Sequence, residues 1–209
     1  MTHPWDVRPV VVGLVGPNGA GKSTFYQAHL REAGLRFVNA DEIGRELGLD
    51  AYSAAKVADK VRRELAKAGE SFVFETVFSD PVGEKLAFLS DVATLGYNVV
   101  LCFIGLADAA QSEERVTMRV LMGGHDVPTD KIESRYPRVL QNLDRALRDV
   151  PCVLVFDNSD LRRPYRLVAE TRKGELVQKP QRLPEWLRKL PYFVEQFGPL
   201  CAQAEGPSL

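Results

Sequence analysis

Short apolar, β-branched runs recur along the chain, and between them lie longer segments whose apolar positions fall three and four residues apart. The short runs are Val10 to Val15, Arg36 to Asn39, Ser71 to Glu75, Asn98 to Ile104 and Cys152 to Phe156. Most lack alternation, which predicts strands buried on both faces. Lys22 to Ala33, Ser53 to Ala68 and Pro81 to Leu95 have the length and spacing of helices that cover such a sheet. Together they predict crossover units and an α/β fold: an open, mainly parallel five-stranded sheet flanked by helices. Two charged helices follow, Asp108 to Met122 and Thr129 to Asp149. Between them Gly123-Gly124-His125-Asp126-Val127-Pro128 predicts a mobile loop, because adjacent glycines and a proline end helices.

After Asp157 the pattern changes. Tyr165 to Glu170 and Glu175 to Gln178, around Thr171-Arg172-Lys173-Gly174, predict a small hairpin. Pro184-Glu185-Trp186-Leu187 and the aromatic residues beyond are expected to pack on the domain surface. With no repeat or linker, residues 1–209 read as a single domain, with hairpin and tail over 161–209.

Composition adds exclusions. The chain has 45% hydrophobic and 26% charged residues and a formal net charge of -1, so no global positive field favours nucleic acid as a partner. Cys102, Cys152 and Cys201 lie far apart and match neither a disulfide framework nor a metal-ligand spacing. They read as reduced thiols. No run approaches the roughly 18 apolar residues of a membrane span, and the first residues lack a secretion signal, so the expected location is cytoplasmic.

The segment Gly16-Pro17-Asn18-Gly19-Ala20-Gly21-Lys22-Ser23-Thr24 matches the P-loop pattern and lies between a predicted strand and a helix start, the context that pattern requires. Glycines let backbone N–H groups converge on phosphate oxygens, and the helix N-terminus adds partial positive charge. Lys22 is expected to neutralise β- and γ-phosphate charge, Ser23 to ligate Mg²⁺, and Thr24 to reach the α-phosphate. ATP and Mg²⁺ are the expected cofactors. A GTPase would carry Asn-Lys-x-Asp where this chain has Asp157-Asn158-Ser159-Asp160. An ABC-type ATPase would carry a Ser-Gly-Gly signature, and Leu121-Met122-Gly123-Gly124-His125 lacks its serine. Asp80-Pro81-Val82-Gly83 fits Asp-x-x-Gly, a pattern of low specificity.

A small kinase needs a carboxylate near the acceptor hydroxyl, a pocket for the acceptor and cations on a closing lid. Asp41, in Asn39-Ala40-Asp41-Glu42, follows the second strand and is the expected general base; it is also placed to cap the next helix. Glu42 is expected to be an exposed first-turn residue. Glu75 and Thr76 end the third strand where its apolar residues stop, a position for binding the acceptor or a water of the Mg²⁺ shell. A lid over about 115–136 carries Arg115, Arg119, Gly123, Gly124, His125 and Arg135. Arg119 and Arg135 are expected to meet the transferring phosphate and His125 the substrate, while Arg115 fits a solvated helical face. Adenine is expected near Asp157 to Asp160. A small-molecule hydroxyl is the expected acceptor. A metabolite, antibiotic or nucleic-acid end as acceptor, and a non-catalytic ATP-binding switch, stay open.

Taken together, the P-loop, Asn39-Ala40-Asp41-Glu42, Phe74-Glu75-Thr76, Arg119 with Gly123 to Pro128, and Arg135-Tyr136-Pro137-Arg138 resemble the zeta toxin family of P-loop kinases. Its short chromosomal members are described as UDP-N-acetylglucosamine kinase-like. The resemblance covers most of the first 160 residues. It implies a nucleoside-monophosphate-kinase-like domain with the P-loop strand central, and transfer of the ATP γ-phosphate to a sugar hydroxyl of UDP-N-acetylglucosamine. It maps the family's base onto Asp41, its P-loop lysine onto Lys22, an acceptor-binding acid onto Glu75 and one lid arginine onto Arg119. Near the second lid arginine the chain has His125, with Arg135 later, and its hairpin and tail lie outside the resemblance. Neither toxicity nor an antitoxin partner is implied.

Overall fold

In the computed structural model, residues 3–198 are described except 125, 179 and 181. The strands are β1 (Val10–Val15), β2 (Arg36–Asn39), β3 (Phe72–Thr76), β4 (Asn98–Gly105), β5 (Cys152–Asp157), β6 (Arg166–Arg172) and β7 (Glu175–Leu176). The order is β2-β3-β1-β4-β5-β6-β7. The first five are parallel, as their unbroken apolar runs predict, and the P-loop strand lies at their centre. Val15 pairs with Thr76 and Phe103, Asn39 with Glu75, and Gly105 with Asp157. The last residues of the five strands therefore finish along one edge, where an open α/β sheet holds its ligands.

The expected five-stranded sheet has seven strands. The hairpin is not separate: β6 pairs antiparallel with β5 and β7 with β6, lengthening the sheet at one edge. Burial drives this, since Val168, Ala169 and Thr171 are all covered.

Alternate residues of the strands feed two cores. Val11, Val15, Phe72, Phe74, Leu101, Phe103, Val153 and Val155 face helices α3 (Ala51–Lys67), α4 (Glu84–Thr94) and α6 (Thr129–Asp149). Val10, Val12, Leu14, Val73, Val100, Cys102, Ile104 and Leu154 face Phe25, Tyr26 and Leu30. Those last three lie on the helix after the P-loop: α1 (Lys22–Phe25) continues through a π-helical turn, Tyr26–Leu30, and a 3₁₀ turn, Arg31–Ala33. Helix α5 (Ala109–Leu121) precedes α6. The helix expected beside Asp41 and Glu42 is α2 (Ala40–Leu47), which follows β2 without an intervening loop. It ends at Gly48, a left-handed C-cap at φ +64 whose N–H donates to the Gly44 carbonyl. No helix among the described residues is long and apolar enough to cross a membrane.

The tail departs from expectation. Helices α7 (Glu185–Arg188) and α8 (Pro191–Phe197) place Trp186, Leu187, Leu190, Tyr192 and Phe193 inside the first core rather than on the surface. Space comes from Gly105 at the end of β4: a Cβ there would overlap the Trp186 indole. The indole N–H donates to Asp157 Oδ1 at 3.2 Å, and Asp157 also accepts from Arg166 at 3.1 Å and the Ser159 hydroxyl at 2.8 Å. Asp157 is thus a buried anchor for the tail.

Gly105→Ala is expected to destabilise the fold by about 1–3 kcal/mol through overpacking. Urea unfolding measures this, and combining it with Trp186→Leu should cost less than the two changes summed, because the clash then has no ring.

Candidate functional site

The P-loop joins β1 to α1. Lys22 is buried, and its ammonium donates to the Gly16 carbonyl at 3.2 Å and the Pro17 carbonyl at 2.9 Å, so its stem is folded over its own loop. Three further carbonyls are held from outside. Ser112 on α5 donates its hydroxyl to Asn18 O at 2.5 Å, Asn158 its amide to Ala20 O at 2.9 Å, and Tyr165 its hydroxyl to Gly21 O at 2.9 Å. In a planar trans peptide the carbonyl and the following N–H point in opposite directions. Holding these carbonyls outward turns the N–H groups of Gly19, Gly21 and Lys22 toward the concave side, the donor arrangement that cradles an anion. Gly21 has φ +84, and a Cβ on it would lie 2.8 Å from the Tyr165 hydroxyl.

Beside the loop, Glu75 Oε2 accepts from the Ser23 hydroxyl at 2.9 Å and from the Asn39 side-chain amide at 3.0 Å. Asn39 is buried, and its side-chain oxygen accepts from the backbone N–H groups of Asp41 at 2.7 Å and Glu42 at 3.3 Å. Asn39, not Asp41, is therefore the N-cap of α2. The cap oxygen must come from the residue just before the helix, and α2 begins at Ala40. Asp41 is left exposed in the first turn, with its carboxylate outside the cap.

Electrostatics join these groups. Burial lowers the Lys22 pKa; Glu75 and Asp41 oppose that shift and Arg119 adds to it. The charges of Asp41, Glu75 and Arg119 thus all act at the lysine. Glu42 is half-buried rather than exposed: burial raises its carboxyl, Arg45 pulls it back, and Glu75, Glu46 and Asp41 push it further up. Arg119 lies on α5, its stem packed where Gly124 folds back. The Gly124 N–H donates to Arg119 O at 3.0 Å, and a Cβ on Gly124 would stand 2.6 Å from Arg119 Cγ.

The structure joins Glu75 to the P-loop through Ser23 and sets Thr76 next to Val15 at the strand end, while Asp41 and Arg119 are near enough for their charges to act on Lys22. Arg135 is half-buried on α6, and among the described residues no hydrogen bond or ion pair joins it to this cluster. His125 lies outside the described residues. Arg115 is not a solvated face: it donates to Asn158 O at 2.7 Å, tying α5 to the segment after β5. Asn39, Ser112 and Tyr165 carried no predicted role, and Asn158 lay in the segment expected near the adenine, with no expected contact to the phosphate loop. The position of Asn158, immediately after a β5 that ends at the ligand edge, was a usable signal; Tyr165 offered none.

Fold and site define a P-loop nucleotide-binding protein of kinase-like architecture. The chain belongs to the AAA_33 family, an AAA domain, which matches residues 11–145. No curated protein matches it. Among solved structures it is similar to AvrRxo1-ORF1:-ORF2 with ATP, at TM-score 0.64 and 17% identity over 96% of this chain and 66% of that one. It is also similar to the PezAT chromosomal toxin–antitoxin system of Streptococcus pneumoniae, at TM-score 0.52 and 16% identity over 87% and 78%. A third is the Pnkp1/Rnl/Hen1 RNA repair complex, at TM-score 0.54 and 19% identity over 69% and 49%. At these identities the likeness is one of fold. The chain spans 66% of the length of the AvrRxo1 relative it matches.

Asn39→Ala removes the α2 cap and one partner of Glu75. It is expected to cost about 1–2 kcal/mol in chemical denaturation, most of it from the cap.

Proposed function

We propose that this chain is an ATP- and Mg²⁺-dependent phosphotransferase that moves the γ-phosphate to a hydroxyl of a small molecule, with UDP-N-acetylglucosamine or a related nucleotide sugar as acceptor. The observation that carries this reading is the contact of the P-loop serine with Glu75 at the carboxyl edge of the sheet, with the charges of Glu75, Asp41 and Arg119 acting on the P-loop lysine. The nucleotide-sugar acceptor rests on the sequence resemblance to the zeta toxins, and the fold shared with the PezAT system is consistent with it.

The loop N–H groups and Lys22 bind the β- and γ-phosphates and offset their charge. Ser23 and Glu75, whose oxygens lie 2.9 Å apart, fit the hard-cation chemistry of Mg²⁺ and are the residues that would hold it. Bound there, Mg²⁺ would neutralise charge on the phosphate oxygens. Asp41 accepts the proton of the attacking hydroxyl; because Asn39 supplies the cap, its carboxylate is free for this. Glu75 and Thr76 hold the acceptor from the β3 side. Arg119 meets charge developing on the transferring phosphate, with Arg135 and His125 reaching it when 123–128 closes. The acceptor is the partner this site requires; no antitoxin is proposed.

The test is ADP release from Mg-ATP with a panel of nucleotide sugars, simple sugars, aminoglycosides and oligonucleotides, with Lys22→Ala as blank. Stimulation by UDP-N-acetylglucosamine, with a phosphate gained by mass spectrometry, is the expected result. ATP binding without stimulation by any acceptor would instead support a non-catalytic switch. Asp41→Asn is expected to lower turnover by about 10²–10⁴-fold while ATP binding persists. Gly124→Ala, which displaces the Arg119 stem, is expected to lower turnover without changing the Kd for ADP in a titration.

A further inference from the structure

Two of the groups that hold the P-loop lie beyond residue 145, outside the region the family shares. Asn158 is buried and commits all its polar groups. Its amide donates to Ala20 O, its side-chain oxygen accepts from Tyr165 N at 3.3 Å, its backbone N–H donates to Gly105 O at 2.9 Å, and its carbonyl accepts from Arg115. Tyr165 has φ +53, a backbone conformation that residues with side chains rarely adopt. That conformation is tied at one end by Asn158. At the other, the hydroxyl donates to Gly21 O and also meets the Thr24 side chain. The ring lies edge-on to Phe25, with centroids 5.3 Å apart, and to His29 at 5.7 Å.

The Gly21 carbonyl already accepts from Phe25 N at 2.9 Å in the first helical turn, so folding of the helix alone would satisfy it. A second donor there, aimed by a strained residue, acts on the orientation of the Gly21–Lys22 peptide, while the same hydroxyl oxygen meets the Thr24 side chain. On the nucleotide-binding reading above, these are the groups expected to face the β- and α-phosphates. Donors held in their bound geometry before the ligand arrives raise affinity because less ordering accompanies binding.

We propose that Tyr165, held by Asn158, is a positioning residue for the polyphosphate of the nucleotide. This makes the segment after β5 part of the nucleotide site, and it rests on the nucleotide-binding reading above. Tyr165 sets affinity through the phosphate loop and does not contact the base.

The test uses the full chain, with ATP and inorganic tripolyphosphate titrated by calorimetry in the presence of Mg²⁺. Tyr165→Phe keeps the ring and removes the hydroxyl. Tyr192→Phe, which removes a hydroxyl bond of 2.8 Å to Gly174 O in the hairpin, is the matched control. Tyr165→Phe is expected to weaken both ligands roughly three- to tenfold, the effect of one hydrogen bond, with the control unchanged. Unaltered affinity in Tyr165→Phe, or an equal loss in Tyr192→Phe, would overturn the assignment. So would a loss for ATP with tripolyphosphate unaffected, which would move Tyr165 to the base. If the wild-type chain bound neither ligand, the nucleotide reading itself would fall, and with it this one.

Discussion

Carbonyl groups of the phosphate loop held from outside are the constraint on which the site depends. Side chains from α5 and from the segment after β5 take the outward oxygens of Asn18, Ala20 and Gly21, so the amides that follow face the concave side. A glycine-rich loop left to itself samples many backbone conformations, and freezing it costs conformational entropy. Here that ordering is done by folding, through contacts between segments more than 90 residues apart in the chain.

The same economy appears at Asn39. One side chain caps α2 with its oxygen and holds Glu75 with its nitrogen, while Glu75 also accepts from Ser23. A displacement of β2 relative to β3 would therefore disturb the helix start that carries Asp41 and the carboxylate beside the P-loop serine together. Lys22 sits in the middle of this arrangement. Its burial disfavours the ammonium, and the neighbouring carboxylates restore part of that loss. A dianionic phosphate entering the cradle would add to the restoring side, so the unliganded site is electrostatically matched to an anion.

The tail takes part indirectly. Asp157 anchors Trp186 and Arg166, and the next residue, Asn158, reaches the phosphate loop. Packing of α7 and α8 on one face of the sheet is thereby connected through two consecutive residues to a loop at its edge.

The sequence alone determined the five parallel strands, the main helices, and the P-loop with Lys22 and Ser23 in their places. Those features are local: buried strands are unbroken apolar runs, helices have their own period, and the phosphate loop is a contiguous pattern of glycines. It also placed Asp41 and Glu75 at the carboxyl ends of β2 and β3, because each follows the last apolar residues of a strand. Tertiary structure decided the rest. It made Asn39 the cap and left Asp41 outside it, joined the hairpin to the main sheet, and drew Trp186 into the core over Gly105. It also brought Asn158 and Tyr165 onto a loop 138 and 144 residues earlier in the chain. The physical reason is that these are pairings between distant segments, settled by which buried polar groups and apolar faces find partners when the layers close, and nothing in a local pattern records the partner.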